Sequence, residues 1–148
     1  MKKFKRTVFA GTVFGVPLDS QRLCLGKVLY SSEVWKDLIQ VGITGEVIAR
    51  STTPHRLDAC FDKEYVALLY TSAACLGSMW PILGKVEVEG QEQTDVAERR
   101  VGDQIWQGDQ LLRQATGKEI QSMANMAVKG CGSAELYIRS ILAKRNLL

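Results

Sequence analysis

The chain has 148 residues, 46% hydrophobic and 24% charged, with a formal net charge of +3. Those proportions belong to a globular domain with its own core and exclude a disordered chain. So small a charge gives no footing for nucleic-acid binding by itself, and no run nears the roughly 18 apolar residues of a membrane span.

At the start, Met1-Lys2-Lys3-Phe4-Lys5-Arg6 places a basic head before a roughly 12-residue apolar stretch, Thr7 to Leu18, the length of a signal-peptide core. Pro17, Leu18 and Asp19 stand where a small-residue cleavage site would follow, so the stretch reads as a buried first strand. Val13-Phe14-Gly15-Val16 and the run from Leu23 to Tyr30 are short, apolar and β-rich, and Asp19-Ser20-Gln21 between them is a hairpin signal. Pro17 belongs at a strand end, and Gly26 marks a bulge or close backbone crossing of the kind that curls a small sheet towards a barrel.

Ser31 to Gln40 has a helical pattern: Ser32 can cap it, and Val34, Trp35, Leu38 and Ile39 share a face, with Gly42 ending it. Gly45 to Arg50 reads as a strand, and Ser51-Thr52-Thr53-Pro54-His55 as a loop. Glu64 to Thr71 is apolar on both parities, which fits a strand covered on both faces or a short buried helix; the flanking loops and two tyrosines favour the strand. A further strand is expected from Met79 to Glu89, then an exposed polar loop from Gly90 to Gly102.

Asp103 to Trp106 and Gln110 to Arg113 flank Gln107-Gly108-Asp109, a second hairpin. Thr116 and Glu119 have the spacing of a capping box, predicting a short helix to about Met123 or Asn125. After Gly130-Cys131-Gly132, Ser133 is expected to cap a closing helix. Ala134, Ile138, Ile141 and Leu142 would line its buried face, with Glu135 and Arg139 paired at i,i+4. The fold expected is α+β: one domain over 1–148, a curled antiparallel, barrel-like sheet with a few short helices and a C-terminal helix.

Little in the chain points to catalysis. His55 is the single histidine, and Cys60 five residues on makes a weak candidate nucleophile pair. Asp58 and Asp62 could share a helix face but sit among polar loop residues. Cys24, Cys60, Cys75 and Cys131 show no Cys-x-x-Cys pair, so a zinc site is not expected. Cys24 and Cys75 read as small core residues; disulfides are allowed but not implied, and a reduced cytoplasmic protein fits as well. Among the tryptophans, Trp80 reads as core, while Trp35 and Trp106 lie in more polar surroundings and read as partly exposed.

The cassette Gly11-Thr12-Val13-Phe14-Gly15-Val16-Pro17-Leu18, its hairpin into Gly26-Lys27-Val28-Leu29, and the later Trp80-Pro81-Ile82-Leu83-Gly84 resemble the Immunity protein 26 family of bacterial polymorphic-toxin systems. Gln104 to Leu112 resembles the family's second hairpin and Ala134 to Leu142 its closing helix. The resemblance implies a cytoplasmic binder that neutralises a cognate protein toxin by masking its active site, with no enzymatic activity, cofactor, metal or membrane partner. Candidate contacts are Trp35, Glu92, Asp95 and Arg99: an exposed aromatic, and charges in or beside the acidic stretch from Glu87 to Glu98. The alternative is a small β-barrel module binding nucleic acid or another protein, supported by the basic tails and the curled-sheet pattern.

Overall fold

Asp19 sets the first hairpin. Its carboxylate accepts the amides of Gln21 and Arg22, both at 2.8 Å, and the Arg22 side chain at 2.8 Å, closing the turn between β1 (Thr12–Pro17) and β2 (Arg22–Ser31). The structure is a computed structural model and describes residues 9–33, 35–51, 57–61, 64–88, 98–123 and 128–147.

β3 (Leu38–Ala49) follows, then β4 (Ala67–Ser72), β5 (Ile82–Lys85), β6 (Arg99–Val101), β7 (Gln104–Gln107), β8 (Gln110–Gln114), helix α1 (Gly117–Ser122), β9 (Val128–Lys129) and helix α2 (Cys131–Lys144). Short 3-10 turns lie at Asp58–Phe61 and Ala73–Cys75. Among the described residues the strands form a six-stranded sheet, β5-β1-β2-β3-β4-β9, and a three-stranded sheet, β6-β7-β8.

The α+β class is the one expected from sequence. Register shifts between Val13 and Phe14, Cys24 and Gly26, and Val28 and Tyr30 mark irregularities of the kind that increase local twist. The large sheet nevertheless stays open, with β5 and β9 as its edges, and β9 runs parallel to β4.

One face of this sheet carries Phe14, Val16, Cys24, Val28, Ile39, Val41, Ile43 and Leu69, which cluster with Trp80 and with Ala134, Ile138 and Leu142 of α2. The helix therefore buries the i,i+4 face expected of it. β1 and β2 are buried on their other face too: Val13, Leu23, Leu25 and Lys27 are all covered. Lys27 Nζ donates to the Glu87 carbonyl at 2.7 Å and lies 5.4 Å from the Phe61 ring centroid. Gly26 has no room for a side chain, since a Cβ there would come within 2.5 Å of Phe14 Cζ.

Several expectations are corrected. Ser31 to Gln40 is not a helix: Ser32 Oγ accepts the Trp35 amide at 2.8 Å, as an N-cap would, but the chain then turns back with Asp37 at φ 60° and enters β3. Ile39, Val41 and Ile43 alternate inwards there, and pairing with both β2 and β4 outweighs the local helical spacing. Gly42 ends no element but lies inside β3, where a Cβ would meet the Tyr65 ring at 2.7 Å.

Among the described residues, the strand expected from Met79 to Glu89 is confined to β5. Glu89 and residues 90–97 of the expected loop lie outside the described residues, and β6 occupies the end of that loop. The capping box is present, with Glu119 N donating to Thr116 Oγ1 at 3.1 Å and Thr116 N to Glu119 Oε1 at 3.0 Å. α2 is capped by Gly130, not Ser133, and begins at Cys131, which is disulfide-bonded to Cys75 with the Cα atoms 5.6 Å apart. Glu135 and Arg139 each engage other elements: Glu135 accepts from Trp80 Nε1 at 3.0 Å, and Arg139 donates to the Leu18 carbonyl.

Candidate functional site

Tyr30 on β2, Gln40 on β3 and Tyr70 on β4 stand side by side in register across three strands. The small sheet meets the large one over this row. At the β7–β8 turn, where Gly108 takes φ 57°, Asp109 reaches across: its Oδ1 accepts from the Tyr30 hydroxyl and, at 2.6 Å, from Ser32 Oγ, and its Oδ2 from the Glu33 amide at 2.5 Å. Burial first, and the bond to Asp109 next, push the Tyr30 phenol up to about 12.

At the other end of the row, Arg99 of β6 places its guanidinium carbon 5.3 Å from the Tyr70 ring centroid and 5.0 Å from that of Trp35. Burial raises the Tyr70 phenol above its ordinary value, and the Arg99 charge pulls it part of the way back. Trp35 packs in turn on Trp106 of β7, centroids 5.4 Å apart and planes tilted by 54°. Both tryptophans are half-buried, as their polar surroundings suggested, and Trp80 is core. Trp35 also lines an open cleft of about 180 Å³ with Lys36, Asp37, Leu38, Thr71, Ser72 and Val128.

Arg99 is the anomaly of this arrangement. It is 6% exposed, and its Nε, Nη1 and Nη2 are all buried and make no well-aligned hydrogen bond among the described residues, the Tyr70 hydroxyl being a looser side-chain contact; Gln40 Oε1 is unsatisfied. An arginine stays charged in any protein environment. Each aromatic contact contributes about 0.5–2 kcal/mol, whereas withdrawing one charge from water costs several kcal/mol. The two rings offset part of that cost. A buried cation with so little hydrogen bonding, packed on a tryptophan that lines an open cleft, is a feature that requires a functional account.

Of the four contacts expected from sequence, the fold therefore brings Trp35 and Arg99 together, although Arg99 lies under the surface. Glu92 and Asp95 lie outside the described residues, as do His55 and Asp62. Sequence reasoning missed Tyr30, Gln40, Tyr70 and Asp109. The β7–β8 turn was legible from Gly108 and Asp109, but nothing local shows that Asp109 reaches Tyr30, 79 residues away.

Among the described residues, no three or more His, Cys, Asp or Glu side chains group as metal ligands, and no helix is long and apolar enough to cross a membrane. Burial pushes the Cys24 thiol up to about 12, and its Sγ donates to the Thr44 carbonyl at 3.2 Å, so it is an inert core thiol and not a nucleophile. Comparison with protein-family models, with curated proteins and with solved structures found no match.

Proposed function

We propose that the chain is an antidote: a binding protein that neutralises a cognate bacterial toxin by covering the toxin's active site. The observation that carries this reading is the cluster of Trp35, Trp106 and Arg99 beside the cleft. Tryptophan, tyrosine and arginine dominate the energetics of protein interfaces, because each brings a large contact area or several donors with little conformational freedom to lose. The likeness of residues 11–29 and 80–84 to the Immunity protein 26 family supports the same class of function.

In this role the protein transforms no substrate and works in the cytoplasm of the producing cell. Cys75 and Cys131 would stand there as thiols, so the fold has to hold without their cross-link. The test is co-expression with the toxin domain encoded by the adjacent reading frame. Wild type should rescue growth and co-purify with the domain, and Trp35→Ala should weaken that complex by about 30-fold or more, the effect of losing an anchor side chain. Cells dying as fast with this chain as without it would overturn the reading.

A further inference from the structure

We propose that Arg99 is a carboxylate receptor, its guanidinium taking up an acidic side chain of the bound partner that enters from the cleft beside Trp35. The identity of the partner rests on the antidote reading above; the chemistry of the site rests on its own geometry.

Three observations converge on it. All three guanidinium nitrogens are buried and none makes a well-aligned hydrogen bond to a described residue; the Tyr70 hydroxyl offers a looser side-chain contact, which leaves most of the five N–H groups without an acceptor. The rings of Trp35 and Tyr70 stabilise the charge from the faces but accept none of those in-plane donors. Two described carboxylates that flank the small sheet are committed elsewhere: Glu98 accepts both Nη groups of Arg113 at 3.1 and 3.0 Å, and Asp109 holds Tyr30, Ser32 and the Glu33 amide.

A carboxylate matches what is missing. It is planar, takes two parallel N–H bonds from a guanidinium, and cancels a single buried positive charge. A phosphate group, carrying about −1.5 to −2 at neutral pH, would leave a buried excess of negative charge. Arg99 does not itself line the cleft; Trp35 does, with its ring centroid 5.0 Å from the Arg99 guanidinium carbon, so an anion entering from the cleft has to displace that ring. Binding therefore reports directly on the fluorescence of Trp35 and of Trp106 beside it.

The experiment is a titration of the isolated chain with sodium acetate, followed by tryptophan fluorescence, against sodium chloride at matched ionic strength and against inorganic phosphate. The expected result is a saturable change with acetate only. It should be lost in Arg99→Met and weakened at least about tenfold in Arg99→Lys, which keeps the charge but not the fork. Far-UV circular dichroism establishes that the variants are folded, and the wild-type titration decides even where one is not.

Acetate acting no more than chloride overturns the proposal, as does a folded Arg99→Met that responds like wild type. A response to phosphate without one to acetate overturns the carboxylate assignment. The toxin domain separates the two readings: acetate binding without toxin binding leaves the receptor standing and removes the antidote, whereas toxin binding undiminished by Arg99→Met removes the partner's carboxylate.

Discussion

The Trp80 indole stacks on the Phe14 ring, centroids 5.3 Å apart and planes within 13° of parallel. Phe14 lies on β1 and Trp80 shortly before β5, and both are fully buried. Trp80 also donates its Nε1–H to Glu135 on α2 at 3.0 Å, so one side chain fastens β1 to the closing helix.

The first prediction concerns that bond. Glu135→Ala leaves a fully buried indole N–H without an acceptor and should cost about 1–3 kcal/mol in urea unfolding. Glu135→Gln keeps a carbonyl oxygen in place and should cost at most about 1 kcal/mol. Equal losses in the two variants would show that the bond contributes nothing.

Gly26 offers a second test. In Gly26→Ala the new methyl would fall within 2.5–2.7 Å of the Phe14 ring and 3.0 Å of Ile43 Cδ1, at the centre of the core. Overpacking of this kind should destabilise by about 1–3 kcal/mol. Gly117→Ala is the control: no atom lies within 4 Å of its new Cβ and the position opens α1, so it should stabilise by about 0.4–1 kcal/mol.

Alkaline pH should unfold the protein in a defined window. Cys24, ordinarily near 9.0, and Tyr30, ordinarily near 10.0, are both pushed up to about 12, and Tyr70 moves the same way. As pH rises the unfolded chain loses these protons first, so the folded state holds more of them and stability falls. Their contribution is complete below about pH 9 and gone above about pH 12, with a slope of about 1.4 kcal/mol per pH unit for each proton held. Denaturant unfolding at stepped pH should show the decline, and Tyr30→Phe should make it shallower above pH 10.

The disulfide supplies the fourth. Cys75 and Cys131 are 56 residues apart, a loop whose closure is worth about 4 kcal/mol by chain entropy. Reduction should lower the unfolding free energy by about that amount. With about 5–15 kcal/mol typical of a domain, the reduced protein should remain folded. Unfolding with and without dithiothreitol measures the difference, and loss of the fold on reduction would count against a cytoplasmic role.

What the sequence made legible was local. The Asp19 turn, the Thr116–Glu119 capping box and the face of Ala134, Ile138 and Leu142 each depend on residues a few positions apart, where spacing and side-chain chemistry decide the outcome. Ser32 shows the limit of the same reasoning, because a serine hydroxyl that accepts an amide three residues on starts a turn as readily as a helix. The flanking pairings of β3 settled which, and these involve residues 8 to 34 positions distant.

The candidate site was legible only as residue types. Trp35 and Arg99 could be singled out as interface-forming side chains, but not their mutual contact, nor the burial of Arg99 against Tyr70. Likewise, no spacing among the four cysteines distinguished the Cys75–Cys131 pairing, which depends on where β4 ends and α2 begins.

Asp109 ties the two members of the tryptophan pair together. Through Tyr30, Ser32 and the Glu33 amide, a single carboxylate at the tip of one hairpin grips the strand end and loop that carry Trp35, while Trp106 rides on the same hairpin. One carboxylate thus joins the segment that carries Trp35 to the hairpin that carries Trp106, and its loss would free both at once.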